Sequence, residues 1–307
     1  MRTVFFGTPQ WAVPSLEALL ESDIEVAAAV TNPDRPAGRG MAMQASPVKE
    51  RALRAGLEVL QPPRARAPEF HASLEVLAPD VATVVAYGKI LPPSLLAIPR
   101  LGFVNLHFSL LPEYRGAAPV QRAVMDGRPT SGVSIMVLTE GMDEGPILSR
   151  AEEPVRADDT AGSLGDRLAG IGSSVLVDVL AAYCDGELKP LDQDHDRATY
   201  APKITTEEAA IDWGQPSEAI RNRVRGLNPA PGAWTTLRGR RLKVWAAERS
   251  AGGGLAPGEL GDLNGALIAG TGDGAIELTR VQLQGKRPTS GADAARGLRL
   301  ARGERFE

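Results

Sequence analysis

The sequence predicts an α/β protein: a Rossmann-like, doubly wound and mostly parallel sheet, followed by a small C-terminal β-barrel domain of the OB-like kind. Three observations carry this. Short apolar runs alternate with helix-like runs through the first 183 residues, the pattern of a parallel sheet covered on both faces. Residues 185–203 then bring mixed charge, two prolines and no hydrophobic period, which reads as a linker. Beyond them, short strand-like runs are separated by glycine-rich turns, as in small barrels. The expected boundaries are an α/β domain at 1–188, a linker at 189–206 and a β-domain at 207–307.

In chain order, residues 4–6 form an apolar strand that ends in Gly7-Thr8-Pro9, and 14–20 a helix with Pro14 in its first turn. Residues 25–31 are a buried strand, and 32–45, full of breakers, a loop. A helix at 47–55 closes at Gly56, and a strand at 57–60 and a helix at 68–77 follow. The β-branched run at 80–86 is the fourth strand and 102–107 the fifth. A helix near 118–125, strands at 132–138 and 147–155, and a long helix over 160–183, capped by Asp159 or Thr160, complete the first domain. Strands at 233–237, 242–247, 266–269 and 275–281 make up the second.

Of the 307 residues, 43% are hydrophobic and 23% charged, enough for a core and against wholesale disorder. A single cysteine, Cys184, excludes an internal disulfide framework, and three dispersed histidines argue against a metal site. No signal peptide or membrane span is read, so a soluble, cytoplasmic, monomeric protein is expected. The net charge of −4 is unevenly divided: residues 205–307 hold 15 basic against 12 acidic residues. Arg221, Arg223 and Arg225, then Arg238, Arg240, Arg241 and Lys243, cluster there; a nucleic-acid face and a solubilising face both fit.

The densest chemical signal is Asn105-Leu-His107-Phe-Ser109-Leu-Leu-Pro112, followed by Arg115-Gly-Ala-Ala-Pro119, at the carboxyl end of the fifth strand. Open α/β sheets bind ligands there. Two apart on a strand, Asn105 and His107 face the same way. The amide can donate to a developing oxyanion and the imidazole can accept a proton. Asp143, between Gly141 and Gly145, would orient the imidazole if its loop reaches it. One amide, one histidine and one aspartate suffice for acyl transfer to an amine. A structural histidine and plain turn residues are the alternatives. Gly7-Thr8-Pro9 lacks the dinucleotide fingerprint and the phosphate-loop lysine, so neither nicotinamide nor nucleoside triphosphate is expected.

The chain resembles the methionyl-tRNA formyltransferase family over nearly its whole length. The matching segments are Phe6-Gly-Thr-Pro9, Asn32-Pro-Asp-Arg-Pro-Ala-Gly-Arg-Gly40, Ser46-Pro-Val48, Val84-Val-Ala-Tyr-Gly88, Asn105 to Pro112, Arg115 to Pro119, Gly141-Met-Asp143, Ile211-Asp-Trp213 and Asn228-Pro229. The Asn105 to Pro112 segment with a downstream aspartate is common to folate-dependent formyltransferases. The 33–40 loop is narrower and points to the tRNA enzymes.

The resemblance implies transfer of a formyl group from 10-formyltetrahydrofolate to the α-amine of methionine on initiator tRNA, without metal. It assigns catalysis to Asn105, His107 and Asp143. Folate would be lined by Ser109, Leu110, Leu111 and Pro112, with Tyr87, Gly88, Ile90 and Leu91 as a wall for the pteridine. Arg35, Arg39, Lys203 and Arg223 would meet the tRNA, Arg39 from a loop entering the acceptor stem. Two departures stand out: Met41 and Ala42 replace the usual lysines, and Phe108 replaces a small residue. Phe108 should point away from Asn105 and His107 into the core. A sugar-nucleotide N-formyltransferase is the nearest rival reading, and a catalytically dead RNA-binding protein one from another class.

Overall fold

Val4, Phe5 and Phe6 fill the centre of β1 (Arg2–Gly7), which is buried from Thr3 onward, so it takes the middle of a sheet covered on both faces. The computed structural model describes residues 1–37, 42–252 and 254–307. The chain forms two units: one of Met1–Pro119, Thr130–Pro154 and Gly165–Ala201, the other of Val120–Pro129, Val155–Leu164 and Pro202–Glu307.

In the first unit, β1 is followed by α1 (Val13–Leu20), β2 (Glu25–Val30), β3 (Arg35–Ala37), β4 (Ala42–Gln44), α2 (Pro47–Arg54), β5 (Glu58–Leu60) and α3 (Pro68–Leu77). Next come β6 (Val81–Val85), α4 (Pro93–Leu96), β7 (Phe103–His107), β8 (Arg115–Gly116), α5 (Pro119–Met125), β9 (Thr130–Val137), β10 (Ile147–Pro154), α6 (Ala161–Cys184) and β11 (Tyr200–Ala201), of which α5 from Val120 onward and α6 up to Leu164 belong to the second unit. The sheet order is β10-β9-β7-β6-β1-β2-β5, parallel from β7 to β5, with β9 and β10 antiparallel. The chain runs outward from β1 to β5, then returns to β6 on the other side. The carboxyl ends of β1 and β6 therefore flank the switch point where such sheets bind ligands.

The 32–45 segment, expected as a loop, contains the hairpin β3–β4, in register Arg35 with Gln44. Its root is fixed by polar side chains. Gln61 donates to Asp34 at 2.8 Å and to the Asn32 carbonyl at 2.9 Å, and Lys49 donates to Asp34 at 2.6 Å. These pairings hold Asp34 below the usual carboxylate range, the Lys49 hydrogen bond first. Arg39 and Met41 lie outside the described residues.

Helix α6 begins with a reciprocal cap: Thr160 N donates to Ser163 Oγ and Ser163 N to Thr160 Oγ1. It is long and apolar enough to cross a bilayer by length and composition. Its buried residues Leu168, Ala169, Leu176 and Leu180 nevertheless repeat at helical spacing, the stripe of a helix that covers a sheet. Residues 185–201 belong to the first unit through pairing rather than apolar burial. Leu191 exchanges two backbone hydrogen bonds with Ile147, and β11 pairs with β8.

The second unit contains α7 (Ser217–Gly226), β12 (Ala233–Leu237), β13 (Arg240–Ser250), β14 (Leu260–Leu263), β15 (Ala266–Gly270), β16 (Ala275–Leu283), β17 (Thr289–Ser290) and α8 (Gly291–Leu298). Its sheet is antiparallel, in order β12-β13-β16-β15-β14, with β17 on β16. Its core joins Ile220, Val224, Leu242, Val244, Ile276 and Val281, and Trp213 stacks on Phe306 at 4.8 Å.

Gly165 of α6 lies against Trp11, and a Cβ there would overlap the indole ring. Gly165→Ala should therefore destabilise the fold by about 1–3 kcal/mol, although alanine is the better helix former. Thermal or urea unfolding reads this directly; an unchanged or raised stability would mean that the indole yields freely.

Candidate active site

β7 lies between β6 and β9, with Asn105 beside Val84 and Met136, and His107 beside Ser134. Side-chain alternation puts Asn105 and His107 on one face. Phe108 is buried and its ring lies 5.8 Å from Trp11. Trp11 is itself held by a 2.9 Å bond to Asp166.

His107 is 6% exposed, and its Nε2 lies 2.9 Å from the carbonyl oxygen of Tyr114. A carbonyl can only accept, so Nε2 carries the proton, and the neutral ring leaves Nδ1 bare. Nδ1 is 3.7 Å from Asp143 Oδ2, an ion pair once the ring gains a second proton. Asn105 is 8% exposed, and no hydrogen bond engages its amide among the described residues.

The turn after β7 supplies the Tyr114 carbonyl. Ser134 Oγ donates to the Ser109 carbonyl at 2.7 Å and accepts from Leu111 N at 3.0 Å. Ser109 Oγ donates to the Glu113 carbonyl at 2.6 Å. Ser109, Leu111 and Pro112 are buried and Leu110 is half-buried.

Asp143 reaches His107 by a detour. β9 ends with Val137 opposite Val104, and Leu138 N donates to the Phe103 carbonyl at 2.7 Å. From there to His107 is three residues of strand, about 10 Å, which the loop must cover in reverse. Asp143 takes a left-handed backbone, φ 51°, uncommon outside glycine. Its Oδ2 accepts from Gly116 N at 2.8 Å. A Cβ at Gly145 would run into the Val137 carbonyl.

The expected folate wall divides. Tyr87 turns its ring into the core, edge-on to Phe6 at 5.4 Å, and burial pushes its phenol up to about 12. Leu91 is buried as well, whereas Gly88 is exposed and Ile90 is 81% exposed. The Tyr87 carbonyl accepts from Asn32 Nδ2 at 2.7 Å, which also donates to Thr8 at 3.0 Å. Among the described residues, Asn32 Oδ1 and the Tyr87 hydroxyl are buried without a partner. Buried polar atoms in that state are those a bound ligand or a water would satisfy.

Of the residues expected to meet tRNA, Arg35 is exposed on β3 in the first unit. Burial, and secondarily the nearby Arg35 guanidinium, push the Lys89 amine below its usual range. In the second unit Lys203 is exposed, and Arg223 donates to the Glu208 carbonyl at 2.6 Å. The neighbouring arginines are engaged too: Arg221 with Glu248 at 2.9 Å and Arg225 with the Asp159 carbonyl at 2.8 Å. Sequence reasoning missed the Tyr114 carbonyl, which carries no side-chain signal, and Gln193, whose Nε2 donates to the Asp143 carbonyl at 2.9 Å and which stood in apparent linker.

The formyl transferase family profile matches residues 1–180, and the profile for the formyl transferase C-terminal domain matches 203–299. A methionyl-tRNA formyltransferase of Streptomyces griseus is 51% identical, with 99% of each chain covered. One of Pseudomonas savastanoi is 46% identical, covering 95% of this chain and 93% of its own. Among solved structures, HypX of Aquifex aeolicus in complex with tetrahydrofolic acid superposes with a TM-score of 0.65 at 19% identity, covering 99% of this chain and 48% of that one. A sugar 3N-formyl transferase, WlaRD, gives 0.68 at 18% identity, covering 94% and 99%. These two structural likenesses concern the fold.

The ring geometry makes one spectroscopic prediction. Long-range proton–nitrogen NMR of the neutral enzyme should show His107 protonated on Nε2. A proton found on Nδ1 instead would contradict the Tyr114 hydrogen bond.

Proposed function

The chain belongs to the formyl transferase family, and on that premise we propose that Asn105, His107 and Asp143 carry its reaction, the formylation of methionyl-tRNA. The observation that carries the activity is relationship over the full length, about half of all residues identical to curated methionyl-tRNA formyltransferases. The sugar N-formyltransferase alternative has only a shared fold at 18% identity behind it.

The formyl donor is a folate, which we take to be 10-formyltetrahydrofolate; it supplies a formyl group on an amine poised to leave. The chain's residues do the rest. Asn105, with its amide uncommitted, donates to the formyl oxygen as that oxygen gains negative charge. Nδ1 of His107 is the bare nitrogen, so it takes the proton that the methionyl amine loses on attack. Asp143 then faces an imidazolium at 3.7 Å and offsets its charge. The same proton can be returned to the departing folate nitrogen.

Ser109, Leu110, Leu111, Pro112 and the 87–91 segment are assigned to the folate, with Ile90 as the side chain presented to it. Asn32 Oδ1, orphaned beside the switch point, suits a donor group of the bound substrate. Arg35, Arg39, Lys203 and Arg223 are assigned to the tRNA; the polar root under β3 and β4 supports an arm held out from the sheet edge. We take the reaction to be cytoplasmic, in keeping with a charged tRNA as substrate, and the enzyme to act as a monomer, in keeping with one chain holding all three reacting side chains.

Asn105→Ala should lower kcat by about 100- to 1,000-fold, with the KM for the folate donor within about threefold. His107→Ala and Asp143→Ala should likewise depress kcat more than KM. Three near-normal enzymes would end the assignment. Offered methionyl initiator tRNA, methionyl elongator tRNA and an amino-sugar nucleotide, the enzyme should formylate the first. Transfer to the sugar alone would transfer the reading to the rival.

A further inference from the structure

Gln193 falls at residue 193, in the stretch that neither matched family segment covers. It is nevertheless 5% exposed and lies under the loop that carries Asp143. Its amide works on both sides. Nε2 donates to the carbonyls of Asp143 at 2.9 Å and Gly145 at 2.7 Å. Oε1 accepts from Arg115 Nε at 3.1 Å and Nη2 at 2.7 Å.

The donor and acceptor pattern admits little else. Backbone carbonyls only accept and a guanidinium only donates, so the bridge needs an acceptor at one end and two donor hydrogens at the other. Glutamate would suit Arg115 but would turn an oxygen toward two carbonyls. Arg115 is 2% exposed, and no carboxylate stands within 4.0 Å of it among the described residues. Its other partner is His195 Nδ1, at 3.1 Å from Nη2. A buried guanidinium satisfied by neutral groups is costlier than one paired with a carboxylate. What the arrangement secures is a fixed amide beneath Asp143.

We propose that Gln193, oriented by Arg115, is a positioning residue for the transfer reaction. It clamps the backbone on both sides of Glu144, and so keeps Asp143 in the left-handed conformation that aims its carboxylate at His107. The inference rests on the reading of Asp143 given above. Left-handed backbone at a non-glycine residue relaxes unless its surroundings hold it. The loop also arrives from the far end of β7; the Gly116 amide holds the Asp143 carboxylate at 2.8 Å, while Gln193 holds the backbone that carries it.

The test is steady-state kinetics on Gln193→Met, Gln193→Glu, Asp143→Ala and Gln193→Met combined with Asp143→Ala. Methionine keeps the volume and donates nothing; glutamate keeps the Arg115 partner, so that variant holds the fold if the first does not. Each Gln193 variant should lose about 10- to 100-fold in kcat, with the KM for the folate donor within about twofold. Because Gln193 acts through Asp143, the double variant should be no slower than Asp143→Ala alone. Multiplying losses, or a Gln193→Glu enzyme with wild-type kcat, would overturn the inference while leaving Asp143 its role. A near-normal Asp143→Ala enzyme would remove the underlying reading and the inference with it.

Discussion

A neutral imidazole has one N–H to donate, and here the carbonyl of Tyr114 accepts that hydrogen bond. The rest of the site follows from that choice. Were the ring in the other tautomer, a bare nitrogen would face a carbonyl oxygen, a buried mismatch costing about 1–3 kcal/mol. With Nε2 committed, Nδ1 alone can receive a proton, and Asp143 stands beside it. The turn from Ser109 to Tyr114 thus has a chemical task beyond reversing the chain. Ser134, one strand away, ties that turn down at both the Ser109 carbonyl and the Leu111 amide.

Much of this was legible in the sequence. Alternating apolar runs gave the order of strands and helices in the first unit, because parallel strands buried on both faces leave an unmistakable pattern. The spacing of Asn105 and His107 gave their shared face. Other features were hidden for physical reasons. Helix α7 went unread because Arg221, Arg223 and Arg225 outweigh its two core contacts, Ile220 and Val224, in any tally of hydrophobicity. The β3–β4 hairpin is short and its strands are largely exposed, so it leaves no apolar alternation. Residues 185–201 are held by backbone pairing and by polar side chains, Gln193, His195 and Thr199, and neither writes a hydrophobic period. That the Tyr87 ring packs edge-on against Phe6 was not legible, because an aromatic at a strand end suits a core and a ligand wall alike.

The charge division also looks different in three dimensions. The second unit has more basic than acidic residues, but several of its cations answer groups of its own: Arg238 binds Glu304, Arg241 lies over the Trp234 ring at 4.1 Å, and Lys243 donates to the Pro231 carbonyl. Counting arginines therefore overstates the charge available to a polyanion. In several cases the same guanidinium both braces the unit and contributes to its field, and long-range attraction survives such bracing better than direct contact does.

The strap of residues 185–201 also sets an order of construction. A ribosome delivers β1 through β10, with Asn105, His107 and Asp143 among them, before it delivers Gln193 or β11. The sheet can assemble on that earlier length, since its strands pair with one another. Within the first unit, the amide beneath Asp143 and the strand that pairs with Arg115 and Gly116 arrive last. A nascent chain would therefore own every reacting side chain for some seconds at about 5–20 residues per second before it owned their final alignment.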